Sequence, residues 1–136
     1  ISLANFLLHA LLECIQEIGK AKMEARAISR YIRQSPTKIR KTLGAIKGLD
    51  VGDAIDYLHF SSEKAAKVIE KTLRSAVSNL MQQNEETKLD PEVLKIKEAF
   101  VNGGPVMKRF RAASMGRASR LRRPTSHLTI VVSDEN

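Results

Sequence analysis

The chain has 136 residues, 43% of them hydrophobic, which is one domain's worth of sequence with apolar material for a single core and excludes a wholly disordered tail. Lys and Arg number 23 against 15 Asp and Glu, a net charge of +8, so the balance points to a polyanionic partner, nucleic acid or a membrane surface. A lone cysteine, Cys14, excludes an internal disulfide framework and fits a reducing compartment, while 4% aromatics without Trp argue against a base-stacking platform.

Ile1–Gly19 reads as an apolar helix, with Leu3, Phe6, Leu7, Ala10, Leu11, Cys14, Ile15 and Ile18 at helical spacing and Gly19 as its stop. No basic residue precedes the apolar stretch, and it holds Glu13 and Glu17 without Arg, so it matches neither a secretory signal nor a mitochondrial presequence. Nor does any apolar run reach the roughly 18 residues a membrane span requires. His9 and Cys14 lie five apart, a spacing that shares a helix face poorly, so no metal site is expected there. At Met23 the composition turns from apolar to basic. We expect residues 1–22 to be an extension, residues 23–136 to be the folded domain, and Met23 to be its natural start.

Residues 21–49 carry eight basic side chains against Glu24 alone. Within them, Arg26–Gln34 sets Ile28, Tyr31 and Ile32 among Arg26, Arg30 and Arg33, and periodicity alone leaves strand and helix turn both open. Ser35-Pro36 is a helix start, with Ser35 as N-cap and Pro36 at the first position. Ile39, Leu43 and Ile46 supply the apolar face, and Gly48 suits the left-handed stop. Lys38, Arg40 and Lys41 fall in the first turns, where backbone N–H groups also favour phosphate.

Asp50 can cap a second helix whose apolar side is Val51, Ala54, Ile55 and Leu58; His59, between Leu58 and Phe60, reads as a packing residue. Ser61 or Ser62 then opens the longest helix, striped by Ala65, Ala66, Ile69, Leu73, Ala76, Val77 and Leu80. Glu63 and Glu70 lie ~10.5 Å apart along that helix, too far to share a proton, and Glu70–Arg74 is an ordinary i,i+4 surface pair. Gln82–Asp90 reads as a polar loop. Leu94, Ile96 and Phe100 alternate with Lys95, Lys97 and Ala99 as a strand in which Glu98 is the misfit, and Leu128, Ile130 and Val132 alternate as another.

Between those strands no acid appears from Val101 to Ser133, while Lys108, Arg109, Arg111, Arg117, Arg120, Arg122 and Arg123 do. Antiparallel pairing of Ile96 with Ile130 puts the turn at Ala112–Gly116, near Ala113, with Gly116 free to take a positive φ. Each arm is then ~17 residues, or ~55 Å, against a radius of gyration of ~14 Å for a compact domain, so the hairpin must project. Gly103-Gly104-Pro105 reads as the bend where it leaves the sheet, not as a phosphate loop. His127, with no acid nearby in sequence to orient it as a base, reads as a hydrogen-bonding or RNA-contacting residue. An enzyme acting on nucleic acid would need a carboxylate cluster for its metal, and the basic blocks hold none. A DNA-architectural protein with a basic β-arm, Met115 its weak wedge, is the alternative to an RNA binder.

Three stretches carry a family resemblance: Gly104-Pro105-Val106-Met107-Lys108-Arg109-Phe110-Arg111, Met115-Gly116-Arg117-Ala118-Ser119-Arg120 and Thr125-Ser126-His127-Leu128-Thr129-Ile130-Val131-Val132. Arg30-Tyr31-Ile32-Arg33 with Ser35-Pro36-Thr37-Lys38-Ile39-Arg40 is a further match. From about Met23 to Asp134 the chain resembles the bacterial-type large-ribosomal-subunit protein L-twenty-two family. The resemblance implies an α+β fold, three helices packed on a small antiparallel three-stranded sheet with a long protruding basic β-hairpin at about 103–125, and makes Arg26–Gln34 a strand. It implies a cytoplasmic, non-enzymatic structural constituent of the large ribosomal subunit with no cofactor or metal. Its expected partners are large-subunit ribosomal RNA, neighbouring ribosomal proteins and the nascent polypeptide, without a membrane. RNA contacts would come from Arg26, Arg30, Arg33, Lys38, Arg40, Lys41, the seven hairpin cations and His127. Met107, Lys108, Arg109, Ala112, Ala113, Met115 and Gly116 would line the nascent-peptide exit tunnel, with Met107, Lys108 and Arg109 near its macrolide-sensitive region. Many members carry Pro and Arg where this chain has Ala112 and Ala113, which implies a softer tip with one phosphate contact fewer.

Overall fold

The computed structural model describes residues 23–83 and 94–134. The expected helix at Ile1–Gly19, the extension it belongs to and most of the expected Gln82–Asp90 loop lie outside them. In chain order the elements are β1 (Glu24–Ile32), α1 (Pro36–Ile46), α2 (Val51–Phe60), α3 (Lys64–Gln83), β2 (Lys95–Gly103), β3 (Met107–Ala112), a 3-10 turn (Ser114–Gly116), β4 (Ala118–Arg123) and β5 (Ser126–Ser133). The fold is α+β. A three-stranded antiparallel sheet has the order β1-β5-β2, and β3 and β4 form a separate two-stranded sheet.

Burial decides the strand-or-helix ambiguity at Arg26–Gln34. Ala25 and Ala27 point inward on alternate residues, the period of a strand, and α3 packs over them. The register with β5 slips between Ser29 and Ile32, where Tyr31 takes a left-handed φ of 58°, and the slip turns Ile32 into the core.

Ser35 does hold the N-cap position of α1, but its side chain makes no capping bond. Its carbonyl instead accepts from the N–H groups of Lys38 (3.2 Å) and Ile39 (3.4 Å). Gly48 ends the helix at φ +83°, as its lack of a Cβ allows. Asp50 likewise occupies the N-cap of α2 without a side-chain bond. The Val51 N–H donates to the Leu94 carbonyl at 2.9 Å, which ties the start of α2 to the sheet. His59 corrects the expectation of a packing residue. It lies off the Val51–Ala54–Leu58 stripe and is exposed, its ring edge-on to Phe60 and its Nδ1 3.9 Å from Glu70.

The long helix starts at Lys64, past Ser61 and Ser62, because Ser61 is already used to end α2, donating its N–H to Tyr57. It continues through Gln83, so Gln82 and Gln83 are helical, not loop. All seven expected stripe residues are buried, and Thr72 is an eighth buried beside them. Leu43, Ile46, Leu58, Ile69, Leu73, Leu80, Leu94, Leu128, Ile130 and Val132 form the centre of the core. Each such side chain contributes about 1.5–3 kcal/mol by leaving water.

The β2 strand shows why Glu98 looked out of place. The register against β5 shifts between Ile96 and Glu98, so Lys97 and Glu98 both face out and the buried set moves from Leu94 and Ile96 to Ala99 and Val101. Phe100, expected inward, is therefore exposed. Ile96 pairs with Val132, and Ile130 with Ala99. Against the expected Ile96–Ile130 pairing, Ile96 is off by two residues, which keeps its side chain on the inner face, while past the bulge Ile130 is off by three.

Candidate nucleic-acid interface

The body sheet stops at the Gly103–Ser126 pair, and the two strands go on without a third neighbour. At the step the Gly104 N–H donates to the Thr125 carbonyl (2.8 Å) and the Thr125 hydroxyl donates to the Pro105 carbonyl (2.6 Å). A Cβ on Gly104 would stand 2.5 Å from the Thr125 Oγ1, so only glycine allows the strands this close. Gly104 thus acts as the expected bend through close approach of the two strands.

Beyond the step, β3 and β4 pair from Met107–Arg123 to Ala112–Ala118. The Ala113 N–H donates to the Arg117 carbonyl at 2.8 Å and closes the tip, where Met115 (φ 57°) and Gly116 (φ 69°) both turn left-handed. The apex is Met115, 94% exposed, inside the expected Ala112–Gly116 turn. The free arm, eight residue steps from Met107 to Met115, is roughly 26 Å at ~3.3 Å per residue. That is about half the expected length, because β2 and β5 spend the other half inside the body sheet.

No residue from Met107 to Arg123 is buried; only Met107 and Leu121 are even half-buried. Lys108 stands directly opposite Arg122, and Phe110 opposite Arg120. Like charges paired across strands destabilise a sheet, and an isolated two-stranded hairpin is marginal in water. This hairpin holds together best against a polyanion.

The remaining expected RNA contacts divide into three groups. Arg26 and Arg30 are exposed on β1. Arg33 and Lys38 meet Arg122 and Arg123 across a cavity of about 490 Å³ at the hairpin root. Lys64, which the sequence reading missed, lines the same cavity; as the first residue of α3 it faces the end of β1, and nothing local in sequence marks that. Arg40 and Lys41 are engaged within the protein. Arg40 donates from Nε (3.2 Å) and Nη2 (2.8 Å) to the Val101 carbonyl, clamping α1 to β2, and Lys41 pairs with Glu63 at 3.4 Å. The Thr42 hydroxyl also donates to Glu63, and this bond above all, with Lys41 beside it, holds the carboxyl below the usual glutamate range against a smaller upward push from burial. His127 is a hydrogen-bonding residue: its Nδ1 accepts the Tyr31 N–H at 3.1 Å, and the two rings stand edge to face.

The family profile described as ribosomal protein L22p/L17e matches residues 27–133. The chain is 44% identical over 113 residues to the large ribosomal subunit protein uL22 of Fusobacterium nucleatum subsp. nucleatum, covering 83% of this chain and 99% of that protein. It is 45% identical over 112 residues to the protein of the same name from Leptospira biflexa serovar Patoc, covering 82% and 95%. Against that of Halothermothrix orenii it is 43% identical over 113 residues, covering 83% and 97%.

Proposed function

This chain belongs to the ribosomal protein L22p/L17e family, whose members are structural proteins and not enzymes, and we propose that it is held in the large ribosomal subunit by binding large-subunit ribosomal RNA. It is a structural constituent of the ribosome; the RNA contacts and the place of the hairpin are the proposal. One observation carries it: a hairpin with seven cations and no acid, unburied along its length and paired with no third strand. Phosphates neutralise that charge and release counterions as the arm orders. The arginines among them, Arg109, Arg111, Arg117, Arg120, Arg122 and Arg123, grip phosphate bidentately as lysine cannot. Ala112, Ala113, Ser114, Gly116, Ala118 and Ser119 keep the tip slim enough to lie against a crowded wall. In this reading the wall is that of the nascent-peptide exit tunnel, the growing polypeptide passes the tip, and the hairpin carries the family's macrolide sensitivity. The folded domain, with neighbouring ribosomal proteins beside it, is the RNA-binding unit.

Sedimentation of tagged protein from a lysate after a high-salt wash tests this. Stable migration with the large subunit supports the reading, because loose phosphate binding is stripped by salt. Release to the free or chromosomal fraction overturns it and favours the DNA-architectural alternative, which the basic arm and the exposed Met115 at its apex would fit.

A further inference from the structure

The cavity at the hairpin root is built differently from the arm. Two of its cations, Arg122 and Arg123, come from the end of β4; Arg33 and Lys38 come from the corner between β1 and α1, and Lys64 from the start of α3. No carboxylate lines it, and among the described residues none of the five cations makes an ion pair. The first turn of α1 opens beside it without an acidic residue, so its backbone N–H groups add to the positive field. Five cations gathered around one cavity repel one another, and an anion relieves that repulsion.

Gln34 adds a second, different requirement. Its backbone is satisfied, the N–H donating to the Ile32 carbonyl (2.8 Å) and the carbonyl accepting from the Ser126 hydroxyl (3.1 Å). Gln34 lines the same cavity, and its side-chain Oε1, buried in the free protein, has no hydrogen-bond partner among the described residues. A buried acceptor without a donor costs about 1–3 kcal/mol. A phosphodiester cannot supply the donor, since it carries only acceptors. A ribose 2′-hydroxyl can, and it is the group that separates RNA from DNA.

We propose that this cavity seats one ribose-phosphate unit of the RNA backbone, the cations around the phosphate and the Gln34 side chain turning its Oε1 outward to accept from the 2′-hydroxyl. The bound unit touches both the body and the hairpin root, so it fixes the angle of the arm. This rests on the reading that the chain binds ribosomal RNA, and makes one part of it specific.

Filter binding of the full chain to deproteinised large-subunit rRNA at about 150 mM salt tests the charge requirement. Arg33→Gln with Arg122→Gln weakens binding about tenfold or more and lowers the log–log salt slope by about one to two, while Arg33→Lys with Arg122→Lys keeps most of the affinity. Removing two α3 cations that lie outside this cavity, in the groove facing β1, Lys67→Gln with Lys71→Gln, shifts it less than about threefold. Competition between a short RNA and the DNA of the same sequence tests the ribose. Gln34→Leu lowers the preference for RNA about fivefold, the worth of one hydrogen bond. Cavity variants that bind like wild type, while wild type binds rRNA, overturn the cavity site and leave the rRNA reading standing. A Gln34→Leu protein that keeps its full RNA preference overturns the ribose contact. Wild-type protein that does not bind rRNA at this salt overturns both the site and the reading it rests on.

Discussion

The described residues form two antiparallel sheets made by opposite logics. In β1-β5-β2 the central strand β5 is buried along nearly its whole length, with Leu128, Ile130 and Val132 against the helices. In β3-β4 no side chain is buried, and the facing pairs include Lys108 with Arg122. The first sheet is held by apolar area removed from water; the second has only its ladder and turn, against charge repulsion. The strands of one run directly into those of the other, so the change takes place within three residues, at Gly104–Val106. A continuous pair of strands can thus be structural scaffold at one end and ligand-dependent arm at the other.

Excision gives the largest test of that contrast. Replacing residues 107–123 with a short turn should leave the thermal midpoint of the body within a few degrees, since no core residue is lost. Affinity for rRNA at about 150 mM salt should fall by roughly a hundredfold or more, as seven cations leave with the arm. A body that unfolds on excision would mean that the hairpin stabilises the scaffold. Next come paired truncations, followed by urea denaturation. Leu128→Ala, at a fully buried position, should cost about 2–5 kcal/mol, a large part of a domain's usual stability of about 5–15 kcal/mol. Phe110→Ala, at an exposed position on β3, should stay within about 0.5 kcal/mol. Equal losses would show that the arm packs on something in the free protein.

The same contrast explains what the residues disclosed in advance. Where a side chain must leave water, spacing was enough: the α3 stripe from Ala65 to Leu80 and the alternation of Leu128, Ile130 and Val132 all point inward as read. Ser35 and Asp50 both hold the N-cap positions read from the sequence, but through backbone geometry; a side-chain bond is a further step that sequence does not guarantee. Glu98 was noticed as a misfit, yet a misfit alone does not say whether a charge is buried, paired or relieved by a bulge. Only the pairing with β5 shows the slip that turns Phe100 outward. The arm's cations were legible as charge. That Arg33, Lys38, Lys64, Arg122 and Arg123 surround one cavity is a matter of tertiary placement, because they come from three separate parts of the chain.

The junction between the two regimes yields a smaller effect. Gly104→Ala places a methyl group where the Thr125 hydroxyl lies, and Thr125 is itself buried. The side chain must rotate and surrender its bond to the Pro105 carbonyl, for a loss of about 1–3 kcal/mol by overpacking and a lost hydrogen bond. Urea denaturation measures the cost. Distances between spin labels on the tip and on α1 should also shift, since the root of the arm is rebuilt, whereas Gly44→Ala, inside α1 with open space around it, should leave those distances unchanged and raise stability by up to about 1 kcal/mol, since alanine favours a helix over glycine.

The smallest expected effect lies wholly inside the scaffold, at Glu63, and its sign follows from proton linkage. The Thr42 hydroxyl, and Lys41 after it, favour the charged carboxylate, so Glu63 binds its proton less readily folded than unfolded, where the ordinary value is 4.5. The unfolded chain therefore takes up the proton first as pH falls. The stabilisation is present in full above the unfolded value and drains away below it, through the lower folded value. Thr42→Val removes the leading cause while keeping the side chain's shape. Measured by urea midpoint, the variant should be less stable than wild type at about pH 7, and the gap should narrow below about pH 4.5 as Glu63 becomes protonated in both proteins. Lys41→Gln should reproduce the trend more weakly, because that ammonium is exposed and screened by water. Thr42→Val removes no charge and touches neither the arm nor its root cavity, so its rRNA affinity at neutral pH should stay at the wild-type level. A gap that widens in acid would show that the Thr42 bond favours the protonated carboxyl instead, and would reverse the sign of Glu63's contribution to the scaffold.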